Sequence, residues 1–308
     1  MGQAYTVGLV IHPSRPVLDS ADLIQRFVRR HGGRVLVREA DAPRVGPGIE
    51  AVAADAFVDR LDALVSLGGD GTMLGAMRLV VGRATPVLGV NHGNVGFLVE
   101  VSPEGLETAL HRMVAGEYTL EPHCCLHVLT DHLNCVAFND VVVTASEPLR
   151  SLTVDLVVNG SRHGYYRGDA VIACTPTGST AYNYAAGGPV ISPSTPSIAL
   201  TPVAPMSGIS RSVVLGGDDA IELHNPPDGL SLRLTTDGAP VGVLGPDGGL
   251  RLRLGHDAVN VVRFDPHRYE QRKRVKLSLL DLPLRPDQLL DLVPPRLRER
   301  AAQLRTEP

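Results

Sequence analysis

The chain has 308 residues, enough for about two domains, with 44% hydrophobic and 20% charged residues, as in a soluble globular protein. No apolar run approaches the ~18 residues of a membrane span, and a formal charge of −4 gives no reason to expect nucleic acid as the main partner. Lysine occurs only as Lys273 and Lys276, which excludes a P-loop, a protein-kinase strand lysine and any Schiff-base lysine in the first 272 residues.

Met1 to Ser14 enters a strand-like run at once and lacks a basic stretch followed by a cleavable apolar segment, so a cytoplasmic protein is expected. Tyr5–Ile11 reads as a buried strand. Asp19–Arg30 reads as a helix, with Asp19 or Ser20 as cap and Gly32-Gly33 as stop. Val35–Val37 is a short strand, residues 40–50 are a Pro/Gly-rich loop, and residues 50–60 read as helical. The apolar run Ala63-Leu64-Val65-Ser66-Leu67 then meets Gly68-Gly69-Asp70-Gly71-Thr72. Glycines around Asp70 permit positive φ and close approach of a ligand to the main chain. A helix expected from Thr72 to about Val81 turns its first N–H groups toward the same place, where they favour anionic oxygens. One carboxylate beside a phosphate site suits phosphoryl transfer, the acid taking a hydroxyl proton or holding Mg²⁺. The same string also serves as a tight turn with an Asp cap.

Pro86–Val90 is another strand, followed by the glycine-rich turn at Asn91, Gly93 and Gly96 and then Phe97. Ser102-Pro103-Glu104 opens a helix to about Ala115, proline being tolerated in a first turn. Strands alternating with helices predict a parallel sheet covered on both faces, with ligands outside the carboxyl ends of the strands. Both glycine-rich turns lie at such ends. Leu74 stands where the dinucleotide fingerprint of dehydrogenases needs glycine, so that motif is not met.

From about residue 120 short β-rich runs recur: 124–130, 136–143, 152–158, 170–174, 198–203, 212–215, 220–224, 230–235, 250–254 and 258–263, separated by turn signals such as Asn159-Gly160. One helical interruption is expected near 179–186. His123, Cys125 and His127 share one face of a strand by period-2 alternation, which could make a zinc site. Small apolar cysteines inside a half-buried strand account for the same residues, and the spacing fits no zinc pattern. The four cysteines form no C-x-x-C pair. The apolar strand up to Cys174 runs into Thr175-Pro176-Thr177-Gly178-Ser179-Thr180-Ala181-Tyr182, whose hydroxyls can bond base, ribose or phosphate and whose tyrosine can stack on a base. A hydroxyl-rich helix cap with a core tyrosine is the other reading. These boundaries give an α/β domain over 1–118, a β-rich domain over 119–264 and a helical tail over 265–308.

Four stretches in order resemble the NAD kinase family: GGDGT at 68–72, N-x-G-x-x-G-F-L at 91–98, Asn139-Asp140 after an apolar run, and G-D-x-x-I-x-x-T-P-T-G-S-T-A-Y with G-G-P behind it at 168–189. Thr201-Pro202-Val203-Ala204-Pro205 is similar to the family's T-P-I-x-P, and Asp237-Gly238 to its late D-G step. The resemblance spans about residues 5–264 and implies a small α/β domain with a parallel sheet plus a β-rich C-terminal domain, with the site between them. It implies a kinase making NADP from NAD and ATP or polyphosphate, with Mg²⁺ accompanying ATP, no resident metal site, and assembly as a homodimer or homotetramer. By the same resemblance Asp70 is the general base on the 2′-hydroxyl of the adenosine ribose, and Gly69, Gly71 and Thr72 bind donor phosphate. Asn139 and Asp140 hold the dinucleotide. Thr177, Ser179, Thr180, Ala181 and Tyr182 surround adenine, with Asp169 nearby. Asn91, Gly93, Phe97 and Asp237 complete the substrate-binding set. The chain departs from the family pattern at Met206, Ala239 and Ala170, where His, Gln and Gly are usual. Another nucleoside-type acceptor, or a non-catalytic nucleotide sensor, remains compatible with the scaffold. GGDGT is also found in lipid kinases, but Arg296–Arg305 is the only candidate basic membrane helix.

Overall fold

The computed structural model describes residues 5–59, 61–93 and 98–265. Phe97 and the expected helical tail from residue 266 onward lie outside the described residues.

The first part alternates as the periodicity predicts: β1 (Thr6–Ile11), α1 (Leu18–Arg30), β2 (Arg34–Arg38), β3 (Glu50–Val52), β4 (Ala63–Gly68), α2 (Asp70–Leu79), β5 (Val87–Asn91) and α3 (Leu106–Ala115). The strands are parallel in the spatial order β5-β4-β1-β2-β3. β1 and β4 are buried at every residue, as expected for a sheet covered on both faces. One core packs α1 and α3 against one face; another packs Met73, Ala76 and Met77 of α2 against the other. Strand order reverses between β1 and β4. In open α/β sheets the ligand crevice lies at such a switch point.

Several expectations in this region need correction. Asp19 and Ser20 are inside α1 and do not cap it; the N-cap is Val17, with no side-chain bond. Of the residues read as helix at 50–60, those over 50–59 supply the edge strand β3 and then turns, because Leu36 to Arg38 offer a parallel edge for Glu50 to Val52. The loop at 40–50 begins with a 3₁₀ turn over Glu39–Arg44. The helix expected to open at Ser102 starts as a 3₁₀ turn, Pro103–Gly105, capped by Ser102 Oγ accepting from Gly105 N at 3.3 Å, and continues as α3.

The second part runs β6 (Thr119–Leu129), β7 (Asn134–Ala137), β8 (Asp140–Ala145), β9 (Leu152–Val158), β10 (Ser161–Gly168), β11 (Ala170–Cys174), α4 (Tyr182–Ala185), β12 (Ser197–Val203), β13 (Ser207–Gly208), β14 (Val213–Gly216), β15 (Ile221–His224), β16 (Leu232–Thr236), β17 (Ala239–Leu244) and β18 (Gly249–Arg263). One antiparallel sheet has the order β14-β12-β11-β8-β16-β17. A core that includes Val141, Val171, Leu152 and Leu252 lies between it and the larger sheet.

Among the described residues that larger sheet has 12 strands and is continuous with the parallel sheet of the first part. β18 makes the join. It pairs with β15 and β6 along its length, and at Val261 it pairs in parallel with Val87 of β5. The two runs expected at 250–254 and 258–263 are therefore one strand, bent by a register shift between Gly255 and Val259. Similarly, the run expected at 136–143 is broken by the turn at Phe138-Asn139, and the helix expected near 179–186 is a 3₁₀ turn, Gly178–Thr180, followed by the four-residue α4.

Candidate functional site

Parallel pairing sets Ile11 opposite Leu67 and Gly68 opposite Asn91. The segments leaving β1, β4 and β5 consequently emerge side by side. Between the first two is a cleft of about 610 Å³, whose lining includes His12, Arg15, Gly69, Asp70, Gly71 and Thr72.

Gly69 is the N-cap of α2 and Asp70 its first residue. Among the described residues no side chain caps the helix, and the amides of a first helical turn favour an anion. Gly69 has φ −104° and ψ −165°, and Gly71 is not in the left-handed region either, contrary to the expected positive φ. Space is what these glycines provide: a Cβ on either would meet no atom of the described residues within 4 Å. Gly68 differs, since a Cβ there would strike the Thr72 side chain. Asp70 is half-buried, and its Oδ1 accepts a hydrogen bond from Leu98 N at 3.0 Å.

His12 and Arg15 went unread in the sequence. Their signal was available: a loop leaving β1 must stand beside one leaving β4 when the two strands are parallel neighbours. His12 Nδ1 accepts from the backbone N–H of both Ser14 and Arg15 at 3.1 Å. With Nδ1 engaged by these two amides, Nε2 is the ring nitrogen left to face a ligand. Arg15 Nη1 donates to His92 O at 2.6 Å. Its guanidinium lies where a Cβ on Gly93 would fall, which gives Gly93 a packing role. Asn91 Oδ1 accepts from Gly93 N at 3.0 Å and shapes the same turn.

The hydroxyl-rich segment gathers at one edge of the six-stranded sheet. Antiparallel pairing sets Cys174 opposite Asp140 and Val141 opposite Thr236, so the end of β11, the start of β8 and the end of β16 meet there. Thr175 ties them: its N–H donates to Asn139 O at 2.9 Å and its Oγ1 to Phe138 O at 2.6 Å, while accepting from Gly178 N at 2.9 Å. A Cβ on Gly178 would overlap the Asn139 carbonyl. Ser179 faces inward, its Oγ donating to Pro176 O at 2.6 Å and accepting from Ile191 N at 2.9 Å. Thr180 Oγ1 donates to Thr177 O at 3.2 Å. Thr177 and Ala181 are half-buried, and Tyr182 is 47% exposed, so its ring has an open face. Asp140 is buried, and burial first, then the charge of Asp237, push its carboxyl up to about 6; a Tyr182 backbone hydrogen bond opposes the rise.

Asp237 sits in the left-handed region (φ 44°) and its carboxylate is fully buried. It accepts from Phe138 N at 3.0 Å, Asn139 N at 2.7 Å, Asp140 N at 3.1 Å and Arg78 Nη2 at 2.6 Å. With four donors around it, this side chain clasps the Asn139-Asp140 turn to α2. Asp169 is exposed at the opposite end of β11, before Ala170, and is not brought to the Thr175–Tyr182 edge within one chain. Met206 is 64% exposed and Ala239 opens β17.

The His123, Cys125 and His127 row lies on β6 opposite Val259, Gly255 and Arg253. Among the described residues no group of three or more His, Cys, Asp or Glu side chains is arranged to hold a metal ion. Cys125 is buried, and burial raises its thiol to about 12.

Comparison with known proteins matches the sequence to two family profiles, the ATP-NAD kinase N-terminal domain over residues 7–118 and the ATP-NAD kinase C-terminal domain over 138–264. The NAD kinase of Symbiobacterium thermophilum is 34% identical over 278 residues, covering 88% of this chain and 98% of that protein. That of Caldanaerobacter subterraneus subsp. tengcongensis is 37% identical over 226 residues, covering 72% and 80%. Yeast NADH kinase complexed with NADH has the same fold, with a TM-score of 0.78 at 21% identity over 92% of this chain and 90% of that one. So does an NAD kinase from Archaeoglobus fulgidus in complex with ATP, with a TM-score of 0.66 at 24% identity over 89% and 98%. With both domains matched in order and relatives aligned over most of their length, the chain belongs to the NAD kinase family.

Proposed function

We propose that this chain transfers the γ-phosphoryl group of ATP to the 2′-hydroxyl of the adenosine ribose of NAD, giving NADP and ADP. The observation that carries this reading is Asp70: one carboxylate at the head of a helix, in a cleft, between glycines that leave room for a ligand. Asp70 accepts the ribose hydroxyl proton as the ribose oxygen bonds to the γ-phosphorus and the bond to the β–γ bridging oxygen breaks. A positioned base of this kind contributes about 10²–10⁴ in rate. Gly69, Gly71 and Thr72 hold donor phosphates, joined by Arg15, which carries donors only, and by His12 through Nε2. On the acceptor side Asn139, Asp140, Thr177, Thr180 and Tyr182 hold NAD, and Asp237 supports them from behind.

Mg²⁺ enters with ATP and supplies neutralisation of the phosphate charge. Asp70 is the only acid among the described residues lining the cleft, which suits an ion held mainly by phosphate oxygens. The unit over 1–118 carries the donor site and that over 119–264 the acceptor site. Assembly as a homodimer or homotetramer is part of the reading, supported by the exposed apolar side chains Tyr165, Met206 and Val214. So is a cytoplasmic setting, where the four cysteines, free of disulfides here, stay reduced.

The test is to incubate the protein with ATP, Mg²⁺ and either NAD or a panel of nucleosides. NADP is the expected product. No NADP at high enzyme concentration, with phosphate appearing on a nucleoside, would transfer the reading to another acceptor. Polyphosphate in place of ATP identifies the donor.

A further inference from the structure

We propose that Arg263 is a positioning residue for Asp70, acting through Leu98. Arg263 ends β18 and its side chain is 4% exposed. Nη1 donates to Leu98 O at 2.8 Å. The N–H of that same Leu98 donates to Asp70 Oδ1 at 3.0 Å. One residue thus carries a guanidinium on its carbonyl and the candidate base on its amide. The inference rests on the reading of Asp70 as that base.

Burying a guanidinium carries a heavy desolvation penalty, and an apolar side chain often replaces a buried ion pair at no loss of stability. Here the charge is compensated at length. Nε donates to Glu121 Oε2 at 2.6 Å, and Glu100 Oε2 lies 3.9 Å from Nη1. Glu100 is itself fixed, its Oε1 accepting from Phe264 N at 3.3 Å and Asp265 N at 3.1 Å. An arginine carries donors only, so its nitrogens can meet Leu98 O only by donating to it.

The segment from Leu98 to Val101 is outside the regular strands and needs such an anchor. At its far end Val101 forms a bridge with Val90, and Asn91 N donates to Val101 O at 2.7 Å. Arg263 holds the near end. With both ends pinned, the Leu98 N–H meets Asp70 in one place and sets the direction of the carboxylate. Misplacing a reacting group by ~1 Å can cost about 10²-fold in rate.

The experiment is a double-mutant cycle on the full chain. Arg263→Met and Arg263→Lys are made alone and with Asp70→Asn, and melting temperatures confirm folding. Arg263→Met should lower kcat about 10–100-fold with KM for NAD and ATP within ~3-fold of wild type. In the Asp70→Asn background it should change the residual rate by less than ~3-fold, because an effect routed through Asp70 has nothing left to act on. Arg263→Lys keeps a donor for Leu98 O and should recover much of kcat. Should Arg263→Met not fold, the Lys variant carries the cycle, with a smaller loss that again vanishes beside Asp70→Asn. The second readout is the Leu98 amide chemical shift, which should respond to Asp70→Asn with Arg263 present and respond far less with Met. Equal losses in both backgrounds, an unchanged kcat, or an undiminished amide response would overturn the proposal. The amide measurement needs no turnover. If wild type makes no NADP, the kinase reading falls, and the amide data alone decide whether Arg263 positions Asp70.

Discussion

Asp237 and Arg78 meet at 2.6 Å across 159 residues of sequence. The pair ties the turn holding Asn139 and Asp140 to the helix that Asp70 begins. Replacing Asp237 with Asn leaves one acceptor facing four donors. The expected cost is at least ~2 kcal/mol of stability, since bonds to charged groups and broken buried pairs are both expensive. A rise in KM for NAD should accompany it, because the Asn139-Asp140 turn loses its support. Urea denaturation and steady-state kinetics on the same preparation check both.

Neutralising the proposed base should separate chemistry from binding. Asp70→Asn should lower kcat at least ~10²-fold while the Kd for NAD stays within a few-fold. Single-turnover NADP formation and calorimetric titration with NAD read the two quantities independently.

Two glycines should fail for opposite reasons. At Gly178 an added Cβ overlaps the Asn139 carbonyl, which is backbone and cannot swing aside. Gly178→Ala should therefore destabilise by about 1–3 kcal/mol. At Gly71 a Cβ meets no atom of the described residues. Gly71→Ala should leave the melting temperature nearly unchanged and raise KM for ATP, as the methyl enters the space proposed for phosphate.

Asp140 supplies a pH dependence whose sign is fixed. Its folded value, pushed up to about 6 by burial and by Asp237, lies above the ordinary 3.8. Folding thus favours the protonated acid. The stabilisation is fully present below the unfolded value and is lost as pH rises through about 6. Melting curves of wild type and Asp140→Asn should diverge as pH rises from about 4 to 6, the variant keeping stability that wild type sheds. A constant difference over that range would contradict the assignment.

Arg15 is the exposed cation of the cleft. Arg15→Ala should raise KM for ATP about tenfold or more and leave KM for NAD alone, with little change in melting temperature, since a surface arginine adds little stability. Initial rates at varied ATP and at varied NAD make the comparison.

Much of the first part was legible because its signals are local. Apolar runs such as Ala63 to Leu67, a glycine turn and a helix phase lie within one window, and they placed β4, Asp70 and α2 to within two residues. Signals that depend on distant partners were not legible. β10 reads Ser161-Arg162-His163-Gly164-Tyr165-Tyr166, too polar to announce a strand, and is a strand because β9 pairs along it. β3 exists because β2 offers an edge. Ser179 looks like a ligand group in sequence, yet its hydroxyl is spent on Pro176 and Ile191. Asp237 was singled out only through resemblance; its clasp depends on Arg78, which no spacing rule connects to it.

The closure of the larger sheet by β18 bears on how the polypeptide is made. Val87 cannot meet Val261 until nearly the whole described chain has left the ribosome. Until then the Val87 end of β5 has an open edge beyond the stretch that Val101 covers, the kind of surface that recruits other nascent strands. A message cut short before codon 249 should therefore yield a sticky fragment, not a smaller working domain.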